Sequence, residues 1–249
     1  SGVKTELTTT NSGAVFNFTF PQTGEAYILV DAYKDGSYVK IIPEERKIIG
    51  YTKFYDKGNK ANLPSNFANY FVVEFDRDFT VCGTWKDGVI QSNILENQAN
   101  HVGAYIKLET KQGEKVTVRS ASSFINSEMA ELNFRREVKG RSFDTVMKEC
   151  KNAWNKEFDR IQVLGGTEEQ QRTFYTALYR TMLFPRKFHE YDQSGNMIHY
   201  SAMNGKVEQG PMYTDNGFWD TFRAVHPFFT IMYPSMSGEV MQALLNYYD

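Results

Sequence analysis

Eight short runs of β-branched and aromatic residues crowd the first 139 positions, and the turns between them leave no room for a helix. The runs span residues 13–20, 26–33, 37–42, 47–54, 70–75, 79–85, 103–109 and 115–124. Between them lie Thr23-Gly24, Asp35-Gly36, Lys57-Gly58-Asn59, Asp87-Gly88 and Gln112-Gly113, residue types that tolerate the positive φ of tight turns. Strands so spaced, with no helical period between them, pair antiparallel and stack as a β-sandwich. Two loops of this half can reach a ligand. Residues 83–88 set Trp85 beside a tight turn, and 93–101 form a polar stretch. Trp85 also fits a plug at one end of the sandwich. Residues 59–69 read as a surface loop.

The period changes near Ser127. Ala130, Leu132 and Phe134 are transitional, and 135–141 reads as a connecting stretch. From Ser142, a cap, Phe143, Val146, Met147, Cys150, Trp154, Phe158 and Ile161 recur at steps of three and four. That spacing predicts a long amphipathic helix lying against the sandwich or joining it to the next domain. Trp154 belongs to its packing stripe, and Gly165-Gly166 ends it. Thr167 with Gln170 forms a capping box for another helix, whose buried face is Phe174, Ala177, Leu178, Thr181 and Met182, and which Pro185 stops. Residues 186–210 read as a long polar loop, with turn signals at Ser194-Gly195-Asn196 and Asn204-Gly205. A last helix comes after Pro234, capped by Ser237 and burying Val240, Met241, Leu244 and Leu245. The expected organisation is a sandwich domain at 1–139, a linker helix at 140–165 and a helical domain beginning at 166–249.

The chemistry concentrates in residues 210–230, GPMYTDNGFWDTFRAVHPFFT. On one continuous helix, Phe218, Phe222, Val225 and Phe229 make a core stripe. Trp219, Arg223 and His226 make a second stripe, with Asp220 at its flank. Asp215 or Asn216 caps the start and Gly217 lets the chain turn in. Asp215 and Asp220 lie near the positive end of the helix dipole, which favours a carboxylate there. Pro227 must kink or end the helix. A flat ring, a bidentate donor, a carboxylate and an imidazole together suit a polyhydroxylated ligand; a half-buried Trp219 with Arg223 as its surface neighbour is the plainer alternative.

Several classes drop out. With 28 basic and 30 acidic residues and a net charge of −2, no footprint for nucleic acid or an anionic membrane exists. No apolar run approaches the roughly 20 residues that cross a bilayer, and the first residues, SGVKTELTTT, lack the apolar core of a signal peptide. Cys82 and Cys150 read as small buried hydrophobes, and with His101, His189, His199 and His226 they show no metal-ligand spacing. No phosphate loop, dinucleotide fingerprint, Ser-His-Asp order or HExxH helix occurs. Sugars remain, since they stack on aromatic rings and their hydroxyl pairs are held by carboxylates and Arg.

GPMYTDNGFWDTFRAVHPFF, preceded by QQRTFYTALYRTMLFP and FDTVMKECKNAWNKEFDRI, resembles glycoside hydrolase family 92, the calcium-dependent exo-acting α-mannosidases. VKTELTTTNSGAVFNFTFP is similar to the middle of that family's N-terminal sandwich. The resemblance implies a sandwich packed on an (α/α)6 barrel, an active site between them, and a mannose-containing glycan as ligand. It implies that Trp219 walls the terminal-mannose subsite and Asp220 accepts its hydroxyls. Arg223 and Asp215 would orient Asp220, His226 would line the site or pack, and Trp85 would contribute from the sandwich. Inversion needs a general acid and a general base roughly 6.5–9.5 Å apart. The resemblance places both, and most calcium ligands, in motifs downstream of this segment. The chain is therefore expected to be an internal piece of a longer periplasmic or extracellular enzyme, inactive alone, with no acid, base or metal ligand assigned to its own residues. The competing readings are a non-catalytic carbohydrate-binding or adaptor protein, and a sandwich-plus-barrel enzyme acting on other sugars.

Overall fold

Alternation of side chains along the strands builds the first half of the molecule. The computed structural model describes residues 2–21, 24–54 and 63–248, and the chain divides into two units, Ser1–Cys150 and Lys151–Asp249. The turn at Lys57-Gly58-Asn59, Thr23 of the Thr23-Gly24 turn and the start of the 59–69 loop lie outside the described residues.

The first unit runs β1 (Lys4–Thr9), β2 (Gly13–Thr19), β3 (Gly24–Asp31), β4 (Ser37–Ile42), β5 (Lys47–Thr52), β6 (Asn69–Phe75), β7 (Val81–Lys86), β8 (Val89–Ser92), β9 (Glu96–Ala99), β10 (Val102–Thr110), β11 (Lys115–Ser123), then helices α1 (Ser127–Glu137) and α2 (Phe143–Phe158), the last crossing the division. A seven-stranded sheet in the order β1-β2-β11-β6-β5-β4-β9 faces a four-stranded sheet in the order β3-β10-β7-β8, every pairing antiparallel. Val39, Ile41, Ile48, Phe75 and Val118 from the first sheet meet Ala26, Ala104, Ile106 and Leu108 from the second in one buried core. This is the expected antiparallel sandwich.

The larger sheet is apolar on its other face as well. Ile48 points into the sandwich while Ile49 joins Val15, Val72 and Ala121 under Ala130, Phe134 and Val138. Doubled apolar pairs such as Ile48-Ile49 and Val72-Val73 follow from covering both faces. The cover is α1. Residues 127–137 are helical rather than transitional, and Asn126 caps them by accepting the Met129 N–H at 2.8 Å. So few of its side chains are buried that its period is faint in the sequence. Lys47, 8% exposed, ties sheet to helix through Glu131 at 3.3 Å and also pairs with Glu45, just before β5, at 3.1 Å. The polar 93–101 stretch, expected to be a loop, contains β9, an edge strand on β4.

The second unit holds α3 (Glu168–Thr181), β12 (Arg186–Lys187), β13 (His189–Tyr191), β14 (Met197–Tyr200), β15 (Val207–Gln209), β16 (Tyr213–Thr214), α4 (Phe218–Thr221), α5 (Val225–Met232) and α6 (Pro234–Tyr248). The capping box of α3 forms as expected, with Gln170 N–H to Thr167 Oγ1 at 3.2 Å and Thr167 N–H to Gln170 Oε1 at 2.8 Å. Leu178 is buried on α3, but Phe174 and Ala177 are exposed. Residues 186–210 are not a structureless loop: β13-β14-β15 form a meander, and β12 pairs with β16. Strands of two to four residues are too short to show a period.

The expected helix over 218–229 is broken. α4 ends at Thr221, and a separate α5 starts at Val225. Pro227 is the third residue of α5, where its missing N–H interrupts no intrahelical bond. The single core stripe dissolves: Phe229 is buried, whereas Phe218 and Phe222 are 42% and 53% exposed. Pro234, not Ser237, opens α6, taking the first position for which proline suits. α6 buries Val240 and Ala243 and leaves Met241 and Leu245 outward.

Candidate functional site

The second unit displays Trp219 and Asp220 on a tight turn anchored from behind. Tyr213, 5% exposed, donates its hydroxyl to Glu239 Oε2 of α6 at 2.8 Å. Burial, and then the Glu239 carboxylate, raise the phenol's pKa far above its ordinary value, so it stays a donor. Asn246 Nδ2 donates to Pro211 O at 2.8 Å. These two bonds fix the start of the turn to a helix.

From there the backbone curls. Asp215 adopts φ 59°, in the left-handed region. Its carbonyl accepts the Gly217 N–H at 3.0 Å, and Asn216 O accepts the Phe218 N–H at 2.9 Å. Gly217 O then accepts from Asp220 N–H at 2.9 Å and from Thr221 Oγ1 at 2.8 Å. This bonding raises α4 clear of the surface: Trp219 is 87% exposed, and Asp220 is exposed beside it.

Asp215 is clamped. Its Oδ2 accepts from Arg186 Nε at 2.7 Å and from Thr214 Oγ1 at 3.1 Å. The β12–β16 ribbon sets Arg186 opposite Thr214, which is why residues 29 apart meet. Arg186 was not among the residues singled out from sequence; the signal available was a basic pair directly after Pro185. Arg223 lies outside both short helices, its guanidinium 5.2 Å from the Phe222 ring centre. His226 stacks on Phe218 with centroids 5.5 Å apart and planes 20° apart, and its buried Nε2 has no hydrogen-bond partner among the described residues. So 215–226 is one local cluster, whereas Trp85 belongs to the first unit, on β7. A wide groove of about 1130 Å³ along α3, lined by Arg172, Thr176, Arg180 and Val225 among others, includes none of Asp215, Trp219, Asp220, Arg223 and His226.

Behind the turn sits a histidine pair. His189 and His199 face each other across β13 and β14, 8% and 0% exposed. His199 Nδ1 lies 3.0 Å from Gly210 O, and Met212 N–H donates to His189 Nδ1 at 3.2 Å. Burial above all holds the His189 pKa below the usual imidazole value, with the Met212 carbonyl, 3.1 Å from the same Nδ1, opposing it.

Two family models account for nearly all of the chain: the glycosyl hydrolase family 92 N-terminal domain over residues 1–123, and its catalytic domain over residues 129–249. The chain belongs to glycosyl hydrolase family 92. The sandwich is the family's N-terminal domain, and the helices after it are the start of its catalytic barrel domain. An inverting mannosidase of family 92 from Bacteroides thetaiotaomicron is 45% identical over 99% of the chain, with a TM-score of 0.95. A family 92 α-mannosidase from the same organism is 26% identical over the whole chain, with a TM-score of 0.86. An uncharacterized secreted glycosidase of Arthroderma benhamiae is 24% identical over 217 residues, 76% of this chain. This family 92 chain spans 33% and 34% of the two solved structures and 27% of the secreted glycosidase. Among the described residues no three His, Cys, Asp or Glu side chains gather to hold a metal ion. No helix among them is long and apolar enough to cross a membrane.

Proposed function

We propose that this chain is part of an exo-acting α-mannosidase that removes terminal α-linked mannose from glycans with inversion, and that it carries part of the mannose subsite. The observation that carries the reading is the presentation of Trp219 and Asp220, outward on a turn whose start is tied to α6. A flat indole gives the apolar face of a pyranose something to stack on, and a carboxylate next to it accepts a pair of hydroxyl protons. Asp215 holds Arg186 at the rim, which supplies a second charged group for hydroxyls. Arg223 and His226 complete the wall. Family membership supports the hydrolase class, and the two solved mannosidases support mannose as the sugar.

The general acid and general base are assigned to no residue of this chain. Calcium dependence is proposed for the full-length parent, with its ligands mostly outside these residues. A periplasmic or extracellular location fits a glycan substrate and a secreted relative.

The test is release of mannose from an α-mannoside by the full-length parent, with and without a calcium chelator. Chelator-sensitive release supports the reading. A folded, calcium-loaded parent that releases nothing from any α-mannoside would turn it toward a non-catalytic carbohydrate-binding protein.

A further inference from the structure

The outward face of the four-stranded sheet seats two aromatic rings on glycines. Trp85 of β7 stands directly opposite Gly103 of β10, and Tyr105 of β10 directly opposite Gly83 of β7. A Cβ built on Gly103 would fall inside the indole of Trp85, overlapping Cζ2 and Cη2. One built on Gly83 would lie 2.7 Å from Tyr105 Oη and 2.9 Å from its Cε1. Each ring therefore fills the space where its cross-strand neighbour has no side chain, lies down on the backbone and turns one π-face outward. The two are diagonal neighbours on adjacent strands, roughly 7–8 Å apart. Tyr105 Oη is fixed by Ser92 Oγ at 3.3 Å. The same rows carry Leu29 beside Tyr105 and Ile90 beside Trp85, 64% and 70% exposed. At the Trp85 end of the face, Asp31 stands opposite Gly103 and its Oδ1 meets His101 Nε2 at 2.9 Å.

We propose that this face is a second glycan-binding surface, in which Trp85 and Tyr105 stack on successive hexopyranose rings while Asp31 and His101 take hydroxyls at the edge. Rings lying flat offer no knob for a protein groove, and a protein partner gains little from a carboxylate–imidazole pair at their margin. A pyranose needs that combination, a flat apolar floor with a charged acceptor beside it. The choice of a glycan as ligand rests on the reading of the parent as a glycan-acting enzyme; the platform geometry does not.

The experiment is native electrophoresis of the full-length parent through gels containing α-mannan or, separately, a mannose-free glucan. The expected result is retardation that falls about tenfold or more in Trp85→Leu and Tyr105→Leu. Leucine keeps an apolar cover on the glycine but removes the π-face, so both variants should melt as the wild type does. Retardation that survives both leucine variants, or its absence in the wild type with either polysaccharide, overturns the proposal. So does a concentration-dependent dimer that Trp85→Leu dissolves, which would make the face a protein interface. A parent that releases no mannose yet is held by a polysaccharide through Trp85 removes the hydrolase reading and leaves this surface standing.

Discussion

Asp215 and Asp220 sit five positions apart in the same turn and have different surroundings. Asp215 is engaged by Arg186 and Thr214, whereas Asp220 is exposed, with its Oδ2 3.3 Å from where a Gly217 Cβ would stand. In the full-length parent, Asp220→Ala is expected to lower α-mannoside turnover by about 10²-fold or more with unchanged thermal unfolding; kinetics and calorimetry on the same preparation check both halves. Arg186→Ala breaks a pair whose side chains are 65% and 43% exposed, so its cost in stability is about 0–1 kcal/mol. Its expected signature is a raised KM for α-mannosides in steady-state kinetics, with the denaturant midpoint held. Trp219 and Asp220, the proposed subsite pair, could be singled out together because they are contiguous in sequence. Arg186 was not, because only the two-residue β12–β16 ribbon brings it to Asp215.

Elements were readable to the extent that they carry their own signals. The capping box of α3 is local, and the chain obeys it. Thr167→Ala is expected to cost about 1 kcal/mol, seen as a lower urea midpoint and faster amide exchange in the first turn of α3. The meander β13-β14-β15 has no such mark, since alternation over three or four residues cannot be told from chance. Its buried histidine makes it sensitive to acid. Burial depresses the folded-state pKa of His189, so between that value and the unfolded one, about 6.5, the unfolded chain binds the extra proton. Stability is then full above about pH 6.5 and declines as pH falls below it. His189→Gln is expected to flatten that decline between pH 7 and 5 in thermal melts, measured against the wild type. The break at 222–224 had the opposite history: a good helical period over 218–229, overridden by the hydrogen bonds that close α4 on Gly217.

At the scale of the molecule, the sandwich was the most legible feature, because eight β-branched and aromatic runs and the five turn signals between them agree with one another. The helix α1 was hidden by its small apolar footprint, and β9 by having Ala99 as its one apolar residue. The calcium ligands proposed for the full-length parent are expected mostly outside these residues, and no group of three His, Cys, Asp or Glu side chains stands among the described ones. The melting temperature of the chain is expected to be the same with calcium and with a chelator, whereas the full-length parent should gain stability with rising calcium by mass action. Matched scanning-calorimetry runs on the two proteins check this.

Strand order also sets a timetable for biosynthesis. β3 finds its only described neighbour in β10, and β2 and β6 are joined solely by β11, about a hundred residues after β2 begins. A ribosome making this protein can release the β4-β5-β6 meander and the β1-β2 and β7-β8 hairpins early, but neither sheet can be completed until its last strands emerge. Pairings between segments so distant in sequence form slowly, and the open edges of β2, β3 and β6 stay available to other nascent chains in the meantime. A pause or nick between residues 99 and 115 would therefore do more harm to yield than its distance from Trp219 and Asp220 suggests.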